Sequence, residues 1–326
     1  MTAQDYIISK LDELKKPSDS TAELTGDELE KEIVRLILSK KFRKYAASEN
    51  LIEHVKKVVH FWVLKNEPIN FTYLYGAYKL WRFEEAPEAD WAELFAFMYY
   101  SKWLKPICEI YEPGVLFDYF VDDIILEKMN NITAAETRAY INSAREVMAF
   151  LKNYQPKNLK MTITPSSTQF ESEEDFWRKF DKNFAEISSV GPLEVSEEKI
   201  RRVELNVRPK NDEPHEEGWQ QKAFQQYVAY ITTADQLDYY FNRDDKILVL
   251  PKKNAFLETV VVGTTKNSVM EVEVGVGVLR RKGDSYERTI LSINNIENGD
   301  FDTEEISIPG LSGKNFSQIR VVAKTN

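Results

Sequence analysis

The residues of this chain best suited to chemistry are two cations and three aspartates. Lys79 and Arg82 sit in a loop, 75–89, that follows a predicted strand. Two cations in such a loop can hold a phosphate or a carboxylate, the arginine as a planar fork and the lysine as a point charge. Asp118, Asp122 and Asp123 lie in a second apolar run, which Asp122-Asp123 interrupts. Paired carboxylates can orient a hydroxyl or move a proton. The same residues also read as a solvated loop and a turn, and residue type alone leaves both readings open. The strong catalytic and nucleotide-binding motifs are absent: there is no Gly-x-Gly-x-x-Gly, Walker loop, His-Glu-x-x-His or Gly-x-Ser-x-Gly. Gly275-Val276-Gly277 falls in a valine-rich pattern with no helix after it, so it reads as a strand or bulge. Cys108, the single cysteine, lies in an apolar helical pattern and reads as a core thiol. His54 and His60 are not at i,i+4 spacing and have no nearby cysteine to complete a metal-ligand set. No cofactor is expected, and no metal is expected to be needed for folding.

The elements that must position these groups alternate in type. Helical periods run from Asp5 to Lys16, from Thr25 past Ile37, and from Leu51 to Val63. Ile69–Leu74 reads as a buried strand. Asp90 with Glu93 resembles a capping box opening a long helix. Val115–Ile125 reads as a strand, Thr133 with Glu136 opens another helix, and Leu159–Thr164 reads as a third strand. Helices are expected over 172–187 and 220–241, with a short strand over 201–207 between them. Strands separated by helices of this length predict an α/β fold, a Rossmann-like and mostly parallel sheet flanked by helices. After Asp245, valine-rich runs separated by Gly and Asn turns predict a mainly antiparallel, β-rich C-terminal region. The expected organisation is a helical segment over 1–66, an α/β core over 67–244 and the β-rich region over 245–326. A strand–helix–strand unit from 71 to 120 predicts two parallel strands ending on one edge. Lys79, Arg82 and Asp122 are therefore expected to face one cavity.

Composition narrows the partners. The 326 residues carry a formal net charge of −10, against the clustered basic character of a nucleic-acid binder. Apolar content of 43% supports a globular core. The N-terminal stretch lacks the apolar run of a signal peptide, and no apolar stretch reaches the ~20 residues of a membrane span, so a cytoplasmic location is expected. The expected partner is a small molecule, with neither nucleic acid nor membrane; oligomeric state is not legible.

Residues 71–125 resemble the core of the isonitrile (isocyanide) synthase family. That family follows a strand with Pro-Ala-Phe-Pro-x-Lys-Ser-Pro-Asn, where residues 74–82 here keep the lysine, Lys79. Its Asp-x-Gly/Ala-Glu helix start is matched by Asp90-Trp91-Ala92-Glu93, and its Ile-Tyr-x-Pro-Gly-Ala by Ile110-Tyr111-Glu112-Pro113-Gly114-Val115. Its Ser-Asp-Gly at the end of the next strand falls on Val121-Asp122-Asp123. The resemblance implies a biosynthetic enzyme, a transferase or lyase of secondary metabolism. It would modify the nitrogen of an amino acid or related amine, with a sugar phosphate as co-substrate. It also implies Lys79 and Asp122 as catalytic residues. Lys79 would bind an anion or form a transient imine, and Asp122 would orient or deprotonate the substrate. Arg82, Asp118, Asp123 and Tyr75 would bind substrate. The alternative is a non-catalytic interaction or regulatory protein that keeps the fold with an altered site.

Overall fold

A computed structural model of the chain describes residues 1–17, 24–75, 78–169, 172–210, 213–237, 244–250, 258–263 and 274–323. Part of the expected break after Lys16 and the start of the strand expected at 269–279 lie outside them.

The first sheet contains β1 (Ile69–Tyr75), β2 (Val115–Val121), β3 (Leu159–Pro165), β4 (Ile247–Leu250) and β5 (Val260–Val261), in the order β3-β2-β1-β4-β5. Every pairing in it is parallel. Helix α4 (Trp91–Ile110) makes the crossover from β1 to β2, and α5 (Ala134–Leu151) the crossover from β2 to β3. Before them come α1 (Ala3–Lys15), α2 (Gly26–Ile37) and α3 (Glu49–Lys65). The fold is α/β, with a five-stranded parallel sheet flanked by helices.

Local sequence explains where the helices begin. Thr2 with Asp5, Asp90 with Glu93, and Thr133 with Glu136 form reciprocal capping boxes at α1, α4 and α5. Each satisfies amide groups that the first helical turn leaves without partners. Alternation within the strands sets the faces. Phe71 and Tyr73 of β1 stand beside Phe117 and Tyr119 of β2 in register. Their rings meet Trp103, Tyr100 and Phe97 of α4 at centroid separations of 5.5, 5.4 and 4.9 Å. This aromatic layer is the centre of the core. The other sheet face is half open: Asp118 is partly exposed, and Lys160 and Thr162 of β3 are exposed.

Between β3 and β4 run α6 (Glu173–Ser189), α7 (Glu197–Asn206) and α8 (Trp219–Gln236). Phe176, Trp177 and Phe180 of α6 pack with Ala229 and Tyr230 of α8 into a second, smaller core that also takes in Ile124 and Met129. Residues 197–206 are helical, where a strand was expected. The Val203-Glu204-Leu205-Asn206-Val207 alternation is only five residues long. It is outweighed by acidic residues in the first turn and by the i,i+4 pair of Arg202 with Glu198 at 2.9 Å.

The C-terminal region divides between two sheets. Strands β4 and β5 extend the parallel sheet, so they are not part of a separate antiparallel unit. Their near-continuous burial is what a parallel interior strand requires. The second sheet is mixed. It runs in the order β7-β6-β9-β8 with β6 (Gly275–Lys282), β7 (Ser285–Ser292), β8 (Phe301–Glu305) and β9 (Gln318–Val322). Its two outer pairings are antiparallel, and β6 with β9 is parallel. A short helix, α9 (Ile293–Glu297), follows β7, so Asn298-Gly299 leaves a helix and does not turn a hairpin.

Strand β6 crosses the start of α4 at Gly277. A methyl group built there would lie 2.3 Å from both Ala92 N and Trp91 C, so only glycine lets the two backbones meet. Gly277→Ala is expected to cost about 3 kcal/mol, the upper end for overpacking a core. Chemical denaturation checks this; an unchanged midpoint would show that β6 does not press on α4 in this way.

Candidate functional site

The loop after β1 folds inward. Lys79 is 1% exposed. Its ammonium donates to Asp90 Oδ1 at 3.1 Å and to the Gly275 carbonyl at 2.8 Å, and lies 3.0 Å from Glu93 Oε1. Three acceptors match the three donors of an ammonium. Both carboxylates are at the N-terminal end of α4, and Glu93 also accepts from Tyr140 of α5 at 2.8 Å. Burial alone would lower the Lys79 pKa. Asp90 and Glu93 outweigh it and hold the ammonium above its ordinary range. Burial pushes the Asp90 carboxyl up to about 7, with Lys79 pulling it down and Glu93 adding to the rise.

The Lys79 ammonium is thus enclosed by protein acceptors and is not presented at the surface. Arg82 is on the surface, where it pairs with Glu297 at 3.1 Å. The cation pair expected in this loop is not formed, because one member is drawn under the start of α4 and the other turns outward. Tyr75 ends β1; its side chain lies outside the described residues.

The aspartates behave differently. Because β1 and β2 are parallel, Asp122 and Asp123 stand just past the carboxyl edge of the sheet, where ligands gather in open α/β folds. Asp122 accepts a hydrogen bond from the Tyr230 hydroxyl and one from Ser166 Oγ at 3.3 Å. Tyr227, three residues earlier on α8, leaves 47% of its surface exposed. Its phenol is nonetheless held above the ordinary range, first by burial and second by the Asp122 carboxylate. Asp123 accepts from Ser166 Oγ at 2.9 Å, Ser167 N at 2.9 Å and Ser167 Oγ at 2.6 Å, fixing the turn after β3. Asp118 stands on the half-open sheet face and accepts from Thr162 and Thr164 of β3 at 2.7 and 2.8 Å.

A cavity of about 370 Å³ opens beside Asp123 and Ser167, between the carboxyl edge and α5. Arg138, Asn142 and Arg145 of α5 line its other side, with Glu127 at one end. Thr137 also lines it, and its Oγ1 is buried with no hydrogen-bond partner among the described residues. Two arginines and two acidic residues thus line one small volume, and the Arg145 guanidinium also donates to the Ile163 carbonyl at 3.2 Å. An arginine fork suits a carboxylate or phosphate, and the acids suit an ammonium. The structure thus brings Asp122 and Asp123 together through Ser166 and adds Arg138, Arg145, Ser166, Ser167 and Tyr230, none of which was expected from the sequence. Arg138 and Arg145 are seven residues apart, two turns on one helix face; that spacing was the only local signal.

The remaining candidates have structural partners. His54 faces the Lys246 carbonyl at 3.0 Å, and His60 pairs with Glu30. Among the described residues no cluster of His, Cys, Asp and Glu could hold a metal ion, and no helix is long and apolar enough to cross a membrane. Cys108 is buried, and burial pushes its thiol up to about 12. A native-state thiol reagent is expected to leave Cys108 unmodified and to label it once the chain is unfolded; mass spectrometry reads the difference.

The Lys79 cluster yields a stability prediction with a definite sign. Lys79→Met leaves two buried carboxylates without their cation, which costs about 3–5 kcal/mol. A carboxyl with a raised folded pKa contributes stability that is present below its unfolded value and is lost as pH rises through the folded value, here about 7. Removing Lys79 deletes the cation that lowers the Asp90 pKa, so the variant loses further stability as pH rises. Its deficit against the wild type should therefore be smaller at about pH 5 than at about pH 8. Denaturant titrations at both values test this; a deficit that shrinks with pH contradicts it.

Comparison with known proteins shows the fold shared at low identity. The chain is similar to the crystal structure of the PvcA protein from Pseudomonas aeruginosa, with a TM-score of 0.56 and 15% identity, covering 91% of this chain and all of that one. A tyrosyl-tRNA synthetase from Archaeoglobus fulgidus, complexed with L-tyrosine, overlaps 68% of this chain and 55% of its own at 12% identity. The TM-score of that overlap is 0.30. No family model and no curated protein sequence matches the chain. The likeness to PvcA, which spans both chains almost end to end, is a likeness of fold.

Proposed function

We propose that this protein is a small-molecule biosynthetic enzyme of the isonitrile-synthase type, acting on an amino acid or related amine. The observation that carries the reading is the cavity at the carboxyl edge, lined by Arg138 and Arg145 and by Asp123 and Glu127. An amino acid placed there has its carboxylate on the arginines and its ammonium toward the acids, so that charge complementarity fixes its orientation. Asp122, hydrogen-bonded to Tyr230 and Ser166, is the nearby carboxylate suited to moving a proton. Two further facts support the class: the ordered resemblance of residues 71–125 to isonitrile synthases, and the PvcA fold over nearly the whole chain. A sugar phosphate as carbon source belongs to the same proposal and rests on the resemblance. In this reading Lys79 positions the loop and α4 and takes no part in the chemistry, and Asp118 and Arg82 lie outside the cavity.

The alternative, a non-catalytic interaction protein, is favoured by the burial of Lys79, the one residue kept from the family's loop motif. An untargeted metabolite comparison separates the two. Cells carrying the wild-type gene should contain a nitrogen-bearing product that is missing both from cells without the gene and from cells carrying Asp122→Asn. Identical profiles in all three would favour the interaction protein.

Binding provides a second test. The Arg138→Gln/Arg145→Gln variant exchanges two exposed side chains, so it should fold normally. It is expected to lose at least tenfold in affinity for any amino acid that the wild-type protein binds, because a charge-assisted bidentate contact is worth about 1.5–3 kcal/mol. Equal affinity by calorimetry would place the substrate carboxylate elsewhere.

A further inference from the structure

A second cavity lies on the far side of α4 from the parallel sheet. Phe97, Tyr100 and Trp103 face the sheet aromatics, whereas Phe95, Tyr99 and Lys102 lie on the opposite helix face and line this cavity. Its volume is about 460 Å³, within the ordinary range for small-molecule sites. The remaining wall comes from α1, from the segment after α2, from the end of β6 and from β7.

Its charge is opposite to that of the molecule. Lys10, Lys41, Lys102, Lys282 and Arg288 line it, with Glu287 as the one lining carboxylate, in a chain of net charge −10. Glu13, at the margin, pairs with Lys10 and lies 3.7 Å from Lys102. One carboxylate shared by two lysines leaves the cavity with excess positive charge. The cations act on one another: burial first lowers the Lys102 pKa, Glu13 opposes this, and Lys41, Arg288 and Lys10 lower it further. Like charges gathered in a concavity raise the free energy of the empty protein and focus the field on an incoming anion. The walls are also aromatic. Phe42 meets Tyr99 edge-on at 5.5 Å, Tyr6 meets Tyr286 at 5.8 Å, and the Arg288 guanidinium lies 5.7 Å from the Phe95 ring. A flat apolar body fits such walls, and the lysines around them suit phosphate oxygens.

We propose that this cavity is a binding site, separate from the one at the carboxyl edge of the parallel sheet, for a small phosphorylated metabolite with a flat, aromatic body. The two cavities share no lining residue: α4 lines this one, and α5 lines the other.

ADP is a suitable probe, with a diphosphate for the lysines and a base for the aromatic walls. Calorimetry on the full chain at low ionic strength should show saturable binding of ADP, tighter than that of inorganic pyrophosphate. Lys41→Glu/Lys102→Gln should weaken ADP binding at least tenfold, since two of the five lining cations are lost. Lys56→Glu/Lys179→Glu, which alters exposed lysines on α3 and α6, should not weaken it comparably. Arg138→Gln/Arg145→Gln should bind ADP as the wild type does, which keeps this test separate from that of the first cavity. The proposal is overturned if neither ADP nor pyrophosphate binds saturably, if pyrophosphate binds as tightly as ADP, if the Lys56/Lys179 variant loses as much affinity as the cavity variant, or if the Arg138/Arg145 variant abolishes binding.

Discussion

The buried ion cluster of Lys79, Asp90 and Glu93 holds the two halves of this molecule in one arrangement. Asp90 caps α4, accepts from Lys79, and accepts the Gly277 amide of β6 at 3.2 Å. Glu93 closes the cap from the other side and takes the Tyr140 hydroxyl of α5. Lys79 reaches past both to the Gly275 carbonyl. Four segments distant in sequence therefore meet on three side chains. Such a cluster is a poor source of net stability, because desolvating the ions offsets much of their attraction. Its effect is on specificity: an arrangement that breaks the cluster leaves a buried charge without a partner, and that cost excludes most alternatives.

Around the cluster, the contacts between the loop after β1 and the C-terminal sheet follow as consequences. Asn315 donates its side-chain amide to the carbonyls of Glu85, Glu88 and Ala89, Lys314 donates to that of Ala86, and Trp91 donates its indole N–H to the Gln318 carbonyl. Arg320 pairs with Glu84 and Glu85. The loop therefore packs along the second sheet, with Lys79 buried beneath α4 and Arg82 paired with Glu297 at the surface. The charged residues that line the cavity at the carboxyl edge come instead from α5 and from the segments after β2.

This division explains which parts of the architecture could be read from the sequence. The three strands and two crossover helices of the central unit were legible because each carries its own local signal: a buried run, a capping box, a Pro-Gly turn before β2. Parallel pairing followed from the length of the crossovers, and with it the position of Asp122 and Asp123 at the carboxyl edge. The role of Lys79 was not legible, because nothing local shows whether a lysine in a loop faces water or a carboxylate beneath a helix. Asp90 and Glu93 were visible as a cap, but a cap explains both residues without a third partner. Tyr230 lies 108 residues from Asp122 and belongs to a helix with no strand of its own beside it, so only the folded chain brings the two together. Strands β4 and β5 were visible as buried runs, yet their sheet was not. A valine-rich run fits the middle of a parallel sheet or one face of an antiparallel one, and the choice is made by partners far away in sequence.

The resemblance to isonitrile synthases acquires a physical meaning in this light. In this chain the lysine, the helix cap and the Pro-Gly turn together build a strand–helix–strand unit with a buried anchor. The residues around them, which would decide the chemistry, differ. The anchor and the cavity at the carboxyl edge share helix α5, where Tyr140 donates to Glu93 while Arg138 and Arg145 line the cavity. The open chemical question then lies in the small volume between Asp123, Arg138 and Arg145, where charges of both signs converge on a partly exposed cavity.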